Sequence, residues 1–269
     1  MFGSNPATTT LVAMALSIGV LAGCADAPPE SDPEARAEWK RLNDPLEPSN
    51  RAIFDFNMAA DRRVMKPVAQ AYEHYVPQYG RDRIHDFLDN LRAPLTFAND
   101  VLQGDVDGAV QTFIRFTFNT GFGALGLFDL AGEGGVPYHS NDLGATFAVW
   151  GAGEGPYLVL PILGPSNPRD AIGMAGEFFV DPFDYRVGQV GQTWAVYARA
   201  GSDGIDRRQA ALAPLDDVER NSIDFYASVR SLYRQHREAE IHHRDGVAVP
   251  EPGYNLTSAK DSEISRETN

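Results

Sequence analysis

The chain of 269 residues contains one cysteine, Cys24, and few basic residues. A single cysteine excludes an internal disulfide framework and any metal site built from several thiolates. The formal net charge is −14, which argues against binding to nucleic acid, because phosphates call for a basic surface. The same charge argues against adsorption to anionic lipid through a polybasic patch.

Long apolar runs are also missing, since no stretch approaches the roughly 18 consecutive apolar residues of a transmembrane helix. The run over residues 11–22 is shorter and is typical of the apolar region of a signal peptide. It ends in Leu-Ala-Gly-Cys at residues 21–24, which resembles a bacterial lipobox. We therefore expect a lipoprotein signal peptide over residues 1–23 and a lipid anchor on Cys24. An ordinary signal peptide or a buried cysteine is the alternative.

Catalytic motifs are absent from the sequence. The nearest match to the G-x-S-x-G nucleophile motif, residues 164–168, has Pro168 in place of the second glycine. Residues 121–126 match the dinucleotide fingerprint, but they follow a predicted helix rather than a strand. The histidines between residues 236 and 243 lie near the end of a predicted helix, where a cation is favourable. We predict no enzyme, no metal site and no cofactor.

Helical periodicity covers most of the chain, and strand-like alternation is nearly absent. One helix is predicted to begin near Ser49 and a second to cover Val64–Tyr75. A third begins at Asp82, and Pro94 separates it from a helix over residues 95–103. Further helices are predicted from Asp105 to about Asn119, from Pro168 to Pro182 and over about residues 190–212, and a final helix carries Ile223 to His236. Asp216 and Asp217 are expected to cap a helix N-terminus. Ile172, Phe178 and Phe179 are expected to face inward, and Phe56, Trp194 and Tyr197 contribute to the periodicity of their helices.

The helix that Asp105 caps is apolar nearly all round at its far end, where Phe113, Ile114, Phe116 and Phe118 lie. Such a helix is either buried on all sides or faces lipid. The core interpretation is the more common one in general, and both remain open here.

A second candidate is the apolar segment within residues 142–170, which are rich in glycine and proline. It consists of Tyr157, Leu158, Val159, Leu160, Ile162 and Leu163, interrupted by Pro161. Irregular apolar backbone at membrane depth survives only where protein buries it or where it surrounds a cavity. We therefore expect one arm of a short hairpin that lines or closes a cavity, or that packs in the protein without touching lipid.

The domain organisation follows from composition. Residues 24–42 are predicted to be a lipidated flexible tether, because proline, acidic residues and alanine dominate there. Residues 43–243 form one predicted domain that is mainly α. Residues 244–269 are polar and without pattern, which predicts a disordered tail.

Several motifs together resemble the MlaA/VacJ lipoproteins of Gram-negative bacteria. They are Asn43-Asp44-Pro45-Leu46-Glu47-Pro48 with Asn50-Arg51, Phe54-Asp55-Phe56-Asn57, Leu102-Gln103-Gly104, Arg115-Phe116 with Asn119-Thr120, Gly126 with Asp129, much of residues 142–170, and Ser222-Ile223-Asp224 with Tyr226, Arg230 and Tyr233. Ser49 and Phe225 depart from the family pattern, which has Phe and often Pro there. The resemblance covers about residues 43–237.

The resemblance implies a ring-like, mainly α domain in the inner leaflet of the outer membrane, anchored on the periplasmic face. It implies removal of mislocalised phospholipid from the outer leaflet through an amphipathic channel and delivery to a periplasmic carrier protein. A trimeric porin is the implied neighbour. A structural envelope lipoprotein that acts as a porin-associated scaffold, without transport, is the alternative function, and a hydrolase of envelope lipid has almost no support in the residues.

Overall fold

The computed structural model describes residues 44–242. The predicted signal peptide, the lipid anchor at Cys24, the tether and the C-terminal tail lie outside these residues and stay predictions.

The described chain begins with a nearly continuous helical rod. Helix α1 covers Glu47–Ala60, a π-helical turn covers Asp61–Met65, and helix α2 covers Lys66–Tyr75. The sequence predicts two separate helices here, but the π turn joins them. A π turn suits this place because Pro67 has no amide to donate to the preceding turn.

Helices α3 and α4 follow one another in the chain and pack closely against each other. Helix α3 covers Gln78–Gln103 and α4 covers Val106–Gly121. The predicted break at Pro94 is wrong, because α3 continues through it while packing against α4. The junction is confirmed: Gly104 is left-handed with φ 70°, and Asp105 accepts a hydrogen bond from the amide of Gly108 at 3.0 Å.

The middle of the chain contains short elements. Helix α5 covers Leu130–Glu133 and α6 covers Leu143–Val149. Strands β1 (Leu158–Leu160) and β2 (Gly164–Ser166) then form an antiparallel hairpin in which Val159 is opposite Pro165. The predicted hairpin arm is confirmed.

The remaining elements are helical. They are α7 (Pro168–Val180), α8 (Pro182–Gln189), α9 (Thr193–Ala210), α10 (Leu212–Asn221) and α11 (Phe225–Ile241). Asp216 and Asp217 lie inside α10, so the predicted cap is wrong. Asp216 instead pairs with Lys66, whose Nζ lies 2.7 Å from Oδ1. Ile223 precedes α11 and is fully exposed, so its predicted place in the last helix is also wrong.

The elements close a circuit of contacts. Helix α1 contacts β1, the hairpin contacts α11, and α11 contacts α6. From there α6 contacts α7, α7 contacts α8, α8 contacts α9, and α9 returns to α2. Helix α3 contacts α6, α8 and α9. The architecture is the mainly α, ring-like domain that the resemblance implies.

The interior is unusually polar. Among the described residues, buried polar and charged residues outnumber buried hydrophobic ones, whereas many large hydrophobic side chains are exposed. Ile172, Phe178 and Phe179, which were predicted to face inward, therefore lie at the surface, and Phe56, Trp194 and Tyr197 are exposed as well. Helical periodicity finds the apolar stripe but does not say which way it faces when the surroundings are also apolar. Between residues 44 and 242, no helix combines the length and apolarity needed to cross a membrane.

Candidate functional site

The apolar segment singled out in the sequence is divided by the hairpin. Tyr157 and Val159 are buried, with 1% and 3% of their surface exposed. Leu158 and Leu160 are half-buried. At the tip the exposure is 82% for Ile162 and 64% for Leu163. One end of the segment is therefore protein core, and the other end projects outward.

Two asparagines on α1 hold the hairpin. The Asn50 side chain donates to the carbonyl of Tyr157 at 2.9 Å and accepts from the amide of Val159 at 3.0 Å. Two helical turns later, Asn57 donates to the carbonyl of Leu160 at 2.9 Å and accepts from the amide of Ile162 at 2.7 Å. The side-chain amides of Asn50 and Asn57 thus form the hydrogen bonds that a third strand would otherwise make, since they pair with backbone groups along β1 and at the tip.

The tip of the hairpin has a strained backbone. Ile162 has φ 69°, in the left-handed region that β-branched residues rarely adopt. Asn57 holds it there by accepting its amide proton. A strained, exposed apolar residue that a buried partner fixes in place is a feature found at functional positions.

An aromatic and charged cluster supports the hairpin from α11. The rings of Phe54, Tyr157 and Tyr226 pack edge to face, with centroids 5.5 and 6.1 Å from that of Tyr226. Asp44 accepts hydrogen bonds from the Tyr226 hydroxyl and from Arg230. Burial is the largest reason why the pKa values of Tyr157 and Tyr226 are raised. Both phenols therefore stay neutral at physiological pH.

A guanidinium clamp joins three helices. Arg237 of α11 donates to Asp142 at the start of α6 at 2.7 Å and to Asp170 of α7 at 2.9 Å. Burial works to raise the pKa of Asp170, but Arg237 and Arg169 outweigh it and the net pKa is lowered. A Cβ on Gly144 would lie 2.6 Å from Arg237, so only glycine fits where α6 passes the clamp. The prediction that Asp170 is a salt-bridged structural residue is confirmed.

A buried polar network lies behind α4. The Asp100 carboxylate, wholly buried, accepts from Thr112 of α4 at 2.8 Å and from Asn141 at 2.9 Å, and His139 lies 3.0 Å away. Gln103 continues the network to Thr146 at 2.9 Å. These residues stabilise the interior through hydrogen bonds rather than apolar packing.

Glu177 of α7 belongs to the same polar network. Its carboxylate accepts from the amide of Leu143 at 2.7 Å and from Asn99 at 3.4 Å. Burial raises the pKa of Glu177 to about 7, because the hydrogen bonds from Leu143 and Asn99 compensate only in part. This side chain therefore changes charge near neutral pH.

The outward face of α4 is apolar. Phe113 and Phe118 expose 58% and 50% of their surface, whereas Ile114 and Phe116 are half-buried. The general core interpretation is therefore wrong for Phe113 and Phe118. A groove of about 330 Å³ runs between α3 and α4, and its lining is almost wholly apolar. The lining residues include Phe97, Val101, Val106, Val110 and Phe113.

The described part of the chain contains no group of three or more histidine, cysteine or acidic side chains placed to hold a metal ion. The charged clusters around Arg237 and Asp44 are internally paired. Their arrangement supports positioning of helices and of the hairpin.

Comparison with known proteins gives the family. The family model described as "MlaA lipoprotein" matches residues 42–240. The chain belongs to this family. Residues 42–240 include the hairpin, the Arg237 clamp and the polar network behind α4, so the MlaA match covers the whole candidate site.

Curated relatives agree with the MlaA assignment. The chain is 33% identical over 233 residues to the intermembrane phospholipid transport system lipoprotein MlaA of Escherichia coli K12, covering 85% of this chain and 87% of that protein. It is 30% identical over 246 residues to the protein of the same name from Haemophilus influenzae, covering 90% and 93%. An uncharacterized protein of Rickettsia bellii is 35% identical over 214 residues, covering 79% and 82%.

A solved structure supports the fold. It is described as "Structural basis for maintenance of bacterial outer membrane lipid asymmetry". The similarity has a TM-score of 0.66 at 33% identity and covers 74% of this chain and 99% of that one. The MlaA architecture is therefore shared over nearly all of the solved chain.

Proposed function

We propose that this MlaA-family chain removes mislocalised phospholipid from the outer leaflet of the outer membrane and passes it to a periplasmic carrier protein. Relatives over most of its length are named as intermembrane phospholipid transport lipoproteins. The observation that carries the proposal is the inverted polarity around α4, where Asp100 and Thr112 are buried and Phe113 and Phe118 are exposed. A protein that moves a two-tailed lipid needs an apolar exterior for the leaflet and a polar interior for the head group.

The proposed location is the periplasmic face of the outer membrane. Lipid on Cys24 would supply the anchor, and each buried methylene adds about 0.8 kcal/mol of membrane affinity. The exposed apolar side chains of α4 and α7 would face the leaflet. A trimeric porin is the proposed neighbour, in line with the resemblance of the sequence to its family.

The proposed mechanism involves no covalent chemistry. Lipid passes through an amphipathic channel, and the hairpin lines or closes that channel. The burial of Tyr157 and Val159 narrows the lipid-contacting part of the segment to its tip, at Ile162 and Leu163. Photo-crosslinking residues placed one at a time over residues 157–163 test this. We expect phospholipid adducts at 162 and 163 and none at 157 and 159, and no adducts anywhere would overturn the channel role.

Deletion of the gene in its own organism tests the function. We expect phospholipid to accumulate in the outer leaflet and detergent resistance to fall, and both to recover when the native chain is supplied. Complementation with Cys24→Ala, matched for protein level, tests the anchor and should fail. Normal outer-leaflet phospholipid in the deletion strain would contradict transport and favour the scaffold role.

A further inference from the structure

Helices α6 and α7 pack with their backbones in close contact, and glycines make that contact possible. A Cβ on Gly173 of α7 would lie 2.4 Å from the amide nitrogen of Gly144 on α6. Three residues later, a Cβ on Gly176 would lie 3.1 Å from the Leu143 side chain. Because glycines offer no side chains to interlock the two helices, polar groups at the two ends of the contact hold α6 and α7 together.

The two ends of this contact differ in charge balance. At the start of α7, the Asp170 carboxylate accepts from the cationic side chain of Arg237 at 2.9 Å. Toward the end of α7, the Glu177 carboxylate accepts from the Leu143 amide at 2.7 Å and from the Asn99 side chain at 3.4 Å. Both donors to Glu177 are neutral. A carboxylate in a partly buried site is expensive when neutral groups alone bond to it.

The charged groups nearest to Glu177 do not compensate its charge. Asp142, at the start of α6, repels it, and Arg237 of α11 attracts it. The guanidinium of Arg237 is already bonded to Asp142 at 2.7 Å, to Asp170 at 2.9 Å and to Glu240 at 3.0 Å. Three carboxylates therefore share this one cation before Glu177 is counted.

The charges on the other neighbouring elements are engaged elsewhere. On α3, the Asp100 carboxylate lies 3.0 Å from His139 and is directed toward α4. On α8, Asp181 and Asp184 share Arg199, at 2.8 and 3.2 Å. These groups leave the excess of negative charge around the α7 carboxyl in place.

The protonation of Glu177 follows from this geometry. Burial, with a smaller contribution from Asp142, raises the pKa of Glu177 to about 7. A carboxyl that leaves the contact for water has the ordinary pKa of about 4.3. By linkage, the stabilisation of the closed contact is fully present below about pH 4.5 and is lost as the pH rises through about 7.

We propose that the Glu177 carboxyl makes the packing of α7 against α6 sensitive to pH. The neutral carboxyl holds the later half of α7 on α6 and α3, and the ionised carboxylate moves toward water and releases that half. The start of α7 stays in place, because Arg237 bonds to Asp170 in both states. Phe178 and Phe179 follow Glu177 directly and are exposed, so the movement shifts this apolar end of α7. The inference goes beyond the proposed function, since it assigns a response to pH rather than a lipid contact.

Hydrogen exchange at the Leu143 amide tests the contact directly, because this amide is the first of α6 and donates to Glu177. The full chain is purified in detergent, and each exchange rate is divided by that of an unstructured peptide at the same pH. We expect protection at Leu143 to fall by about tenfold or more between pH 5.5 and pH 8.5. In Glu177→Gln it should not change with pH. Glu133→Gln, at an exposed position of α5, is the matched control and should behave as the native chain does.

Two results of this measurement would overturn the proposal. One is protection at Leu143 that stays constant with pH in the native chain. The other is an equal fall in Glu177→Gln, because a different group, such as His139 or His236, would then cause the pH dependence.

A distance measurement separates movement of α7 from the loss of one hydrogen bond. Spin labels are attached at Val180→Cys, at the exposed end of α7, and at Glu238→Cys, an exposed position of α11, in the full chain with Cys24→Ala. We expect a longer or broader distance distribution at pH 8.5 than at pH 5.5, and the same distribution at both pH values when Glu177→Gln is added. A distribution that does not change with pH in the chain with Glu177 would overturn the release of α7.

Discussion

The hairpin side and the α4 side of the molecule treat apolar residues in opposite ways. Beneath the hairpin, Phe54, Tyr157 and Tyr226 form a buried aromatic cluster of the kind found in water-soluble domains. Around α4, Asp100 and Thr112 are buried and Phe113 is exposed. Exposure of the Phe113 ring to water is unfavourable, whereas contact of the ring with lipid tails is favourable. The contrast teaches that one domain has a water-type interior at one end and a membrane-type polarity at the other.

The largest expected effect concerns the polar interior. Asp100→Ala leaves the buried Thr112 hydroxyl and the half-buried Asn141 side chain without their acceptor. We expect the free energy of unfolding to fall by about 3 kcal/mol or more. Chemical denaturation in detergent measures it. Asp107→Ala, at an exposed position of α4, is the control and should cost under about 1 kcal/mol. Equal losses of stability in Asp100→Ala and Asp107→Ala would show that the polar network behind α4 does not stabilise the fold.

On the hairpin side, Asn50→Ala removes the hydrogen bonds to the carbonyl of Tyr157 and from the amide of Val159. We expect a loss of about 2–3 kcal/mol and faster hydrogen exchange at the Val159 amide. Asn221→Ala, an exposed position at the end of α10, is the control. Unchanged exchange at Val159 would show that β2 alone holds β1.

Glu177 tests the α4 side through pH. Its pKa rises from 4.5 to about 7 on folding, so the folded state binds the proton more tightly than the unfolded state does. The stability that this provides is fully present below about pH 4.5 and is lost as the pH rises through about 7. Glu177→Gln should therefore be more stable than the native chain by roughly 2 kcal/mol at pH 8 and similar to it at pH 4. A stability difference that does not change with pH would contradict the burial of an ionisable carboxyl here.

The smallest expected effect is a gain at the hairpin tip. Ile162→Asn relieves left-handed strain at an exposed position, and we expect stability to rise by about 1 kcal/mol. Leu163→Asn, next to it and outside the left-handed region, should give no gain. A loss of stability in Ile162→Asn would mean that protein covers the tip.

Local signals were predictable from the sequence and distant ones were not. Gly104 and Asp105 end and begin their helices as predicted, because capping depends on adjacent backbone groups. The roles of Asn50 and Arg237 were missed, since their partners lie 107 and 67 residues away. The spacing of Asn50 and Asn57 on one face of α1 is the signal that could have indicated a shared partner.

The direction in which the apolar stripes of the helices face was also not predictable from the sequence. Periodicity locates the stripes that contain Phe56 and Phe178, but the prediction that Phe178 faces inward assumes water outside. Pro94 misled for a different reason, because packing of α3 against neighbouring helices outweighs the local cost of a proline.

The central claim, that the α4 side faces lipid while the hairpin base is protein interior, can be tested in cells. A photo-crosslinking residue is placed at exposed Phe113 and, in a separate chain, at buried Phe54. The account predicts phospholipid adducts at 113 and none at 54. An absence of adducts at 113, with the chain present in the outer-membrane fraction at its normal level, would contradict it.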